Sequence, residues 1–273
     1  MNANLAGTLY KRIIDASNGV SKVKIDLHVH TPASHDFKVL SKCEDDTYVT
    51  LLNEALESGI QIIAITDHNT FRGYDHIRRM IESNVPAYKP FSGLLILCGI
   101  EITCFSKHLL AIFPDAFSED AQRAFLRDIG VDESVEGTED ALADNLGPSP
   151  LIDKIGEYGG FAILAHADAK HGFLCSLCSK DSGSELSFIG KSLAKIIRNK
   201  NLFGVQCNNE SKRQNIQSKL KNVDYLRKEA PLAFIKCSDC HGIVYQNEYT
   251  GSSGQAIGTV YSVKNCLKYH STH

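Results

Sequence analysis

Apolar residues recur along the chain as short unbroken runs and as longer amphipathic stretches. The short runs, bounded by polar or turn-forming residues, predict buried strands. The amphipathic stretches predict helices between them, and several end close to a glycine, the residue type that favours helix termination. The predicted strands are 23–30, 61–66, 94–100, 108–113, 161–165, 203–207 and 232–237. The predicted helices are 45–58, 71–83, 118–129, 149–159, 188–199 and 209–229.

Strands that alternate with helices favour an α/β domain with a mainly parallel sheet, either open or closed into a barrel. The strands at 94–100 and 108–113 follow each other too closely for a crossover helix, so we expect a hairpin there. Ser149 is expected to cap the helix that begins at Pro150.

Composition narrows the class of protein. The chain has 273 residues, of which 43% are hydrophobic, and a formal net charge of −3. The sequence contains no basic stripe of the kind that would indicate broad nucleic-acid binding. It also contains no apolar run long enough for a membrane span. Nine cysteines without a signal-peptide pattern predict a cytoplasmic protein with free thiols.

The order of segments predicts one main domain, residues 23–262. A short amphipathic lead-in helix is expected over 1–22 and a tail over 263–273. The acidic, weakly periodic stretch 130–148 is interpreted as a surface loop or insertion.

Histidines and carboxylates gather where the predicted strands end. They are His28, His30, Asp36, Asp67, His68, Glu101, His166, Asp239 and His241, whereas His108 begins its strand. Since the carboxyl ends of parallel strands meet at one edge of a sheet, these side chains are expected to converge. Burying them together is costly unless cations bind their lone pairs. Mixed imidazole and carboxylate ligands suit Zn, Mn or Fe.

Cysteine spacing offers a competing metal site. Cys175 with Cys178, and Cys237 with Cys240, form two C-x-x-C pairs that could build a structural zinc site. A predicted helix, a strand and a long helix separate the pairs, unlike the compact arrangement of a zinc ribbon. The plainer interpretation is that these thiols act as small apolar side chains.

The motifs "DLHVHTPAS", "ITDHN", "GIEIT", "ILAHAD" and "SDCH" occur in an order that resembles the PHP (polymerase and histidinol phosphatase) family of metal-dependent phosphoesterases. The resemblance covers about residues 23–262. It implies a distorted (βα)7 TIM-like barrel that holds two or three divalent metal ions at the C-terminal face of its strands.

The resemblance also implies ligand roles. A first metal is assigned to His28, His30, Glu101 and Asp239; Glu101 also bridges to a second metal held by His108 and His166; and a third takes Asp36, His68 and His241. Many members carry the acidic residue at the position of His35, so His35 or Asp36 could serve, and we prefer Asp36. Asp26 and Asp67 match positions that orient ligands.

The implied chemistry is hydrolysis of phosphate esters by a metal-bridged hydroxide, with Glu101 and Asp239 as the catalytic carboxylates. The substrate is expected to be a small phosphorylated metabolite or nucleotide, or a nucleic-acid end, because the chain lacks a cationic groove for long duplexes. Lys170, His171, Arg72 and Lys107 are candidates for phosphate contacts.

Three further expectations concern context. Within the family, the chain looks most like PHP domains at the front of SMC-like ATPases linked to DNA repair or phage defence. That likeness implies an ATPase partner or an ATPase domain following this sequence. A non-catalytic PHP module of such a system, and an amidohydrolase-like barrel that cleaves C–N bonds, are the alternatives.

Overall fold

The computed structural model describes residues 23–38, 44–83, 85–115, 117–143, 145–169, 172–178, 186–226, 228 and 230–242. Within these ranges one sheet contains seven strands in sequential order. They are β1 (Ile25–Val29), β2 (Ile62–Ile65), β3 (Leu95–Cys104), β4 (Lys107–Phe113), β5 (Phe161–Leu164), β6 (Leu202–Gln206) and β7 (Ala233–Ile235). Each predicted strand overlaps one of them.

The helices lie between most of these strands. They are α1 (Glu44–Glu57), α2 (Arg72–Glu82), α3 (Glu119–Ile129), α4 (Pro148–Glu157), α5 (Leu186–Arg198) and α6 (Glu210–Asn222). Shorter 3-10 helices occur at Pro86–Gly93, Cys175–Leu177 and Asp224–Leu226. Side chains cap two of the longer helices: Ser118 accepts from the Ala121 amide and Asn209 from the Lys212 amide.

Two predicted helix boundaries were wrong. Helix α4 begins at Pro148 after Gly147, not at Pro150, because Pro148 already supplies the backbone angle of a first helical residue. The helix predicted over 209–229 ends at Asn222, where Val223 becomes extended. Leu226 follows in a 3-10 turn and is completely buried. Burial of this side chain in the core favours the end of the helix at Asn222.

The predicted hairpin is confirmed. Strand β4 pairs antiparallel with both β3 and β5, whereas the other neighbouring strands are parallel. Phe105 and Ser106 turn the chain between β3 and β4 with φ angles of 49° and 57°, as a two-residue hairpin turn of type I′ requires. Because β4 runs against its neighbours, its first residues lie at the edge where the parallel strands end.

The curled sheet meets itself at this same edge. After β7 the chain reaches β1, where the Asp239 amide donates to the His28 carbonyl (2.9 Å) and the His30 amide donates to the Cys240 carbonyl (3.1 Å). Strands β1 and β7 themselves share no ladder among the residues that can be described, so the sheet is a curled half-barrel joined at one rim. The β3–β4 hairpin also departs from seven regular βα units.

Alternation along the strands divides the apolar residues into two clusters. Ile63 and Ile65 belong to the large core shared with the helices, whereas Ala64 belongs to a smaller cluster on the other face. That smaller cluster includes Leu110, which lies directly opposite Glu101 in the β3–β4 register. Glu101 therefore shares the face of the small cluster, at the rim of the curled sheet.

The lead-in helix over 1–22 and the tail over 263–273 fall outside the described residues, so both stay predictions. Every helix within the described residues is too short or too polar to span a membrane.

Candidate metal centre

All nine side chains predicted to bind metal meet at this rim. His28 lies on β1, Glu101 on β3 and His108 at the start of β4. The remaining six follow the ends of β1, β2, β5 and β7: His30, Asp36, His68, His166, Asp239 and His241. The antiparallel direction of β4 explains why His108 begins its strand, whereas His28 and Glu101 lie in the second half of theirs and the other six follow strand ends.

Glu101 occupies the middle of the group and is completely buried. Its Oε2 lies 3.0 Å from Nε2 of His28 and 3.1 Å from Nε2 of His30. Its Oε1 lies 2.8 Å from Nδ1 of His108 and 2.8 Å from Nε2 of His166. The two oxygens thus face different imidazoles, which is the arrangement that a carboxylate bridging two cations needs.

Asp239 contacts two of the imidazoles that also contact Glu101. Its Oδ1 lies 3.2 Å from Nε2 of His28, and its Oδ2 lies 3.1 Å from Nδ1 of His166. Asp239 and His166 have φ angles of 57° and 34°, which are rare for residues other than glycine. Such backbone strain, about 1–3 kcal/mol per residue, is typical of functional sites.

Asp36 lies in a neighbouring group. Its Oδ2 lies 3.0 Å from Nε2 of His241 and 3.5 Å from Nε2 of His68. Together with His30 these residues offer ligand atoms that all lie within 4.8 Å of one another. The exposed His35 ring lies 5.1 Å from the His68 ring, measured between centroids, and is not part of this group.

Three sets of described residues could hold a cation, each with ligand atoms within 4.8 Å of one another. They are His28, His30, Glu101 and Asp239; His68, Glu101 and His108; and His30, Asp36, His68 and His241. The shared members link the three sets. His166, assigned with Glu101 and His108 to the second cation, belongs to none of these sets, and His68 takes its place. Nε2 of His166 nevertheless lies 2.8 Å from Oε1 of Glu101.

Hydrogen-bond acceptors on the side away from Glu101 orient the imidazoles of His28 and His30. Nδ1 of His28 lies 2.8 Å from Oε1 of the buried Gln206. Nδ1 of His30 lies 2.9 Å from Oγ of Ser34, and that hydroxyl donates to Oδ1 of Asp67 at 2.8 Å. Since Ser34 has a single proton and gives it to Asp67, its oxygen accepts the proton of His30 Nδ1. Both rings therefore direct their Nε2 atoms towards Glu101.

The two aspartates expected behind the ligands hold the backbone of the rim. Asp67 accepts hydrogen bonds from the Thr31 amide (2.6 Å) and hydroxyl (2.8 Å) as well as from Ser34. Burial raises the pKa of Asp67 to about 6, against the effect of these hydrogen bonds. Asp26 accepts from the amides of His28 (3.3 Å) and Ser238 (3.1 Å).

Without a cation, the pKa values of the carboxylates and of two imidazoles at the rim are shifted far from their ordinary values. Burial alone would raise the pKa of Glu101 and of Asp239, but the surrounding imidazoles outweigh it and lower both pKa values well below their ordinary range. Burial alone would lower the pKa of His166, yet hydrogen bonds to Asp239 and Glu101 raise this pKa to about 11. The pKa of His241 rises to about 9, where Asp36 outweighs burial. Protons on imidazoles thus balance the carboxylates, and divalent cations could replace those protons.

Sequence reasoning missed Gln206 and Ser34. Gln206 ends the apolar run of β6, and Ser34 lies between His30 and Asp36 in "HTPASHD". The polar residue at a strand end was a signal that could have drawn attention to Gln206. Its partner, however, is 178 positions away.

The cysteines of the two C-x-x-C pairs do not form a shared site. None of Cys175, Cys178, Cys237 and Cys240 is in a disulfide, and none belongs to a group of described residues able to hold a metal. Burial raises the pKa of the Cys237 thiol well above its ordinary value, which fits the apolar interpretation.

The basic candidates for phosphate contact have other partners or lie outside the described residues. Nζ of Lys107 donates to the carbonyl of Gly172 at 3.3 Å. The Arg72 guanidinium lies 3.3 Å from Oε2 of Glu136, a residue of the predicted acidic loop. Glu136 also accepts from Thr70, so this loop packs against the segment that follows His68. Lys170 and His171 are not among the described residues.

Comparison with known proteins agrees with this fold. No family model matches the chain. An uncharacterized protein of Methanocaldococcus jannaschii is 29% identical over 147 residues, which is 53% of this chain and 67% of that protein.

Two solved structures share the architecture. Endonuclease Q, in complex with a 27-mer duplex substrate with an abasic lesion at its active site, is 16% identical with a TM-score of 0.51. The lesion-specific endonuclease PfuEndoQ from Pyrococcus furiosus is 14% identical with a TM-score of 0.50. Both likenesses cover 81% of this chain, but only 49% and 48% of those proteins. The chain therefore shares a fold with about half of each endonuclease.

Proposed function

We propose that the chain is a metal-dependent hydrolase of phosphate esters, with the nine rim residues as ligands of two or three divalent cations. The observation that carries this proposal is the 3.0 Å distance between Nε2 of His28 and Nε2 of His30. With both Nδ1 atoms committed to acceptors, neutral forms of these rings bring two lone pairs together beside a buried carboxylate. A shared cation satisfies all of these atoms at once.

The donor set indicates the kind of cation. Imidazoles with carboxylates, and no thiolate, suit Zn, Mn or Fe. Glu101 is proposed to bridge two positions, because its two oxygens face separate imidazoles. Bound at these positions, divalent cations would lower the pKa of water and polarise a phosphoryl group.

The protein residues then have distinct tasks. Glu101 and Asp239 orient the imidazoles on both sides of the reacting centre, and the buried wall behind Glu101 limits access of bulk water. Asp36 is 40% exposed at its side chain, so the group of Asp36, His68 and His241 forms the entrance at which a phosphate would arrive.

Charge favours a phosphate group as the substrate. Three carboxylates, Asp36, Glu101 and Asp239, face about six positive charges if three cations bind, so the cavity is positive although the chain carries a net charge of −3. The proposed substrates are small phosphorylated metabolites or nucleotides, or nucleic-acid ends. The shared fold with Endonuclease Q supports including nucleic acid.

We also propose a cellular context for the chain. An ATPase that acts with this domain, or follows it in a longer protein, would fit the resemblance to SMC-linked PHP domains. A cytoplasmic location is likewise inferred from the free thiols that the sequence predicts.

The test combines metal analysis with a substrate screen. Protein stripped of metal and reloaded with Mn, Zn or Fe(II) is assayed for phosphate release from metabolites and nucleotides. It is also assayed for shortening of end-labelled oligonucleotides and for incision of duplexes with an abasic site. His28→Ala should lose bound metal and turnover.

His76→Ala is the matched control. His76 pairs with Asp45 at 2.9 Å and stacks on Tyr48, and it belongs to none of the three ligand sets, so this variant should keep both properties. Metal binding without turnover of any phosphate ester would reject the enzyme and favour the non-catalytic module.

A further inference from the structure

Gln206 ends β6 and is completely buried behind the metal centre. Its Oε1 lies 2.8 Å from Nδ1 of His28 and accepts from the backbone amide of His166 at 3.2 Å. A backbone amide can only donate, so the atom that faces it must be the oxygen of the side-chain amide. The same oxygen can only accept, so Nδ1 of His28 must carry a proton.

The amide nitrogen of Gln206, unlike its oxygen, has no hydrogen-bond partner among the described residues. This Nε2 atom is nevertheless buried. A methionine could fill similar space without burying an unsatisfied amide group, which is unfavourable. Packing therefore does not explain a glutamine at this position. The contacts of its oxygen with His28 and with the His166 amide do explain it.

A neutral His28 has two tautomers that lead to different states of the site. With the proton on Nδ1, the ring donates to Gln206 and leaves the Nε2 lone pair free. With the proton on Nε2, the ring donates to Glu101 at 3.0 Å and closes the position between His28, His30 and Glu101. The two states compete for the same proton.

We propose that Gln206 is a positioning residue that holds His28 in the Nδ1-protonated tautomer and so keeps the cation position of His28, His30, Glu101 and Asp239 open. This inference rests on the proposed function. Ser34 accepts from His30 only because its own proton is given to Asp67, whereas Oε1 of Gln206 accepts without any further partner.

The experiment compares three variants. Gln206→Met keeps the length of the side chain but removes the acceptor, and Gln206→Glu keeps an acceptor. Gln122→Met is the control, since Gln122 is also buried and donates to Asp75 at 3.1 Å and to the Phe117 carbonyl. Zinc and manganese affinities are measured by chelator competition, folding by thermal unfolding, and imidazole protonation by long-range 1H–15N NMR of zinc-loaded protein.

We expect Gln206→Met to weaken one metal by about 10- to 100-fold, the usual effect of removing a partner of a metal-bound histidine. The His28 signal with a proton on Nδ1 and a metal on Nε2 should also be lost. Gln206→Glu should restore affinity and signal, and Gln122→Met should leave both unchanged.

Several outcomes would overturn the inference while leaving the proposed function intact. They are wild-type affinity in Gln206→Met, no rescue by Gln206→Glu, or an equal loss in Gln122→Met. Wild-type protein that binds neither metal would instead refute the metal-dependent function itself.

Discussion

Nδ1 of His166 lies 3.1 Å from Oδ2 of Asp239, and both residues have a left-handed backbone. Each follows the end of a strand, β5 and β7, where the chain must turn sharply to aim its side chain across the rim. The strain at the two positions is tolerated because hydrogen bonds fix the neighbouring backbone: Ala167 donates to the Gln206 carbonyl and Asp239 to the His28 carbonyl. This pair is expected to make the stability of the metal-free protein depend on pH.

Metal-free protein should lose stability as pH rises above neutrality. The pKa of His166 is raised to about 11 and that of His241 to about 9, from 6.5. A raised histidine pKa contributes stability that is fully present below about pH 6.5 and is lost as pH rises through 9 to 11. Thermal unfolding of chelator-treated protein between pH 6 and pH 10 should show this fall. His166→Ala should reduce it, whereas His76→Ala should not; a melting temperature that increases over this range would contradict the argument.

Divalent metal should stabilise the fold strongly through Glu101. A ligand present at about a thousand times its dissociation constant adds about 4 kcal/mol to the free energy of unfolding. Thermal unfolding with and without Mn or Zn should therefore show a clear rise for the wild type and little or none for Glu101→Gln. Glu119→Gln is the control, because Glu119 is a half-buried helix residue outside the three ligand sets that pairs with Arg78 at 3.0 Å. An equal rise in Glu101→Gln would mean that the metal binds elsewhere.

Asp36 should control one cation without the others. It contacts His68 and His241 but lies in neither of the other two groups. Elemental analysis of Asp36→Ala should show one metal fewer per chain than the wild type. His35→Ala should leave the number unchanged, and the reverse result would assign the third position to His35.

Gly73 should be required for the packing of α2 against the rim. A Cβ atom there would lie 2.0 Å from Oδ2 of Asp67 and 2.2 Å from Oγ1 of Thr31, too close for any relaxed contact. Gly73→Ala is expected to lower the free energy of unfolding by about 1–3 kcal/mol, the usual range for overpacking. Gly93→Ala is the control, since a Cβ atom there meets nothing within 4 Å. Denaturant titration of both variants measures this difference. Equal stability of the two variants would show that the rim accommodates the added methyl group without loss of stability.

Much of the rim was predictable because the relevant signals are local. Alternation places His28 and His30 on one side of a strand, and His68, His166 and Asp239 each follow an apolar run that reads as buried. The close spacing of β3 and β4 predicted the hairpin. Helix ends were less predictable, as Pro148 and Val223 show, because more than one residue could begin or end each helix.

The sequence by itself determined the seven strands, their alternation with helices and the kinds of ligand at their ends, since these depend on neighbours a few positions apart. Only the tertiary structure decided that the antiparallel β4 turns His108 towards Glu101, that Asp36 rather than His35 joins His68 and His241, and that Gln206 lies behind His28. Each of these depends on strand direction or on side chains that meet across the curled sheet, and no local pattern of residues encodes such contacts.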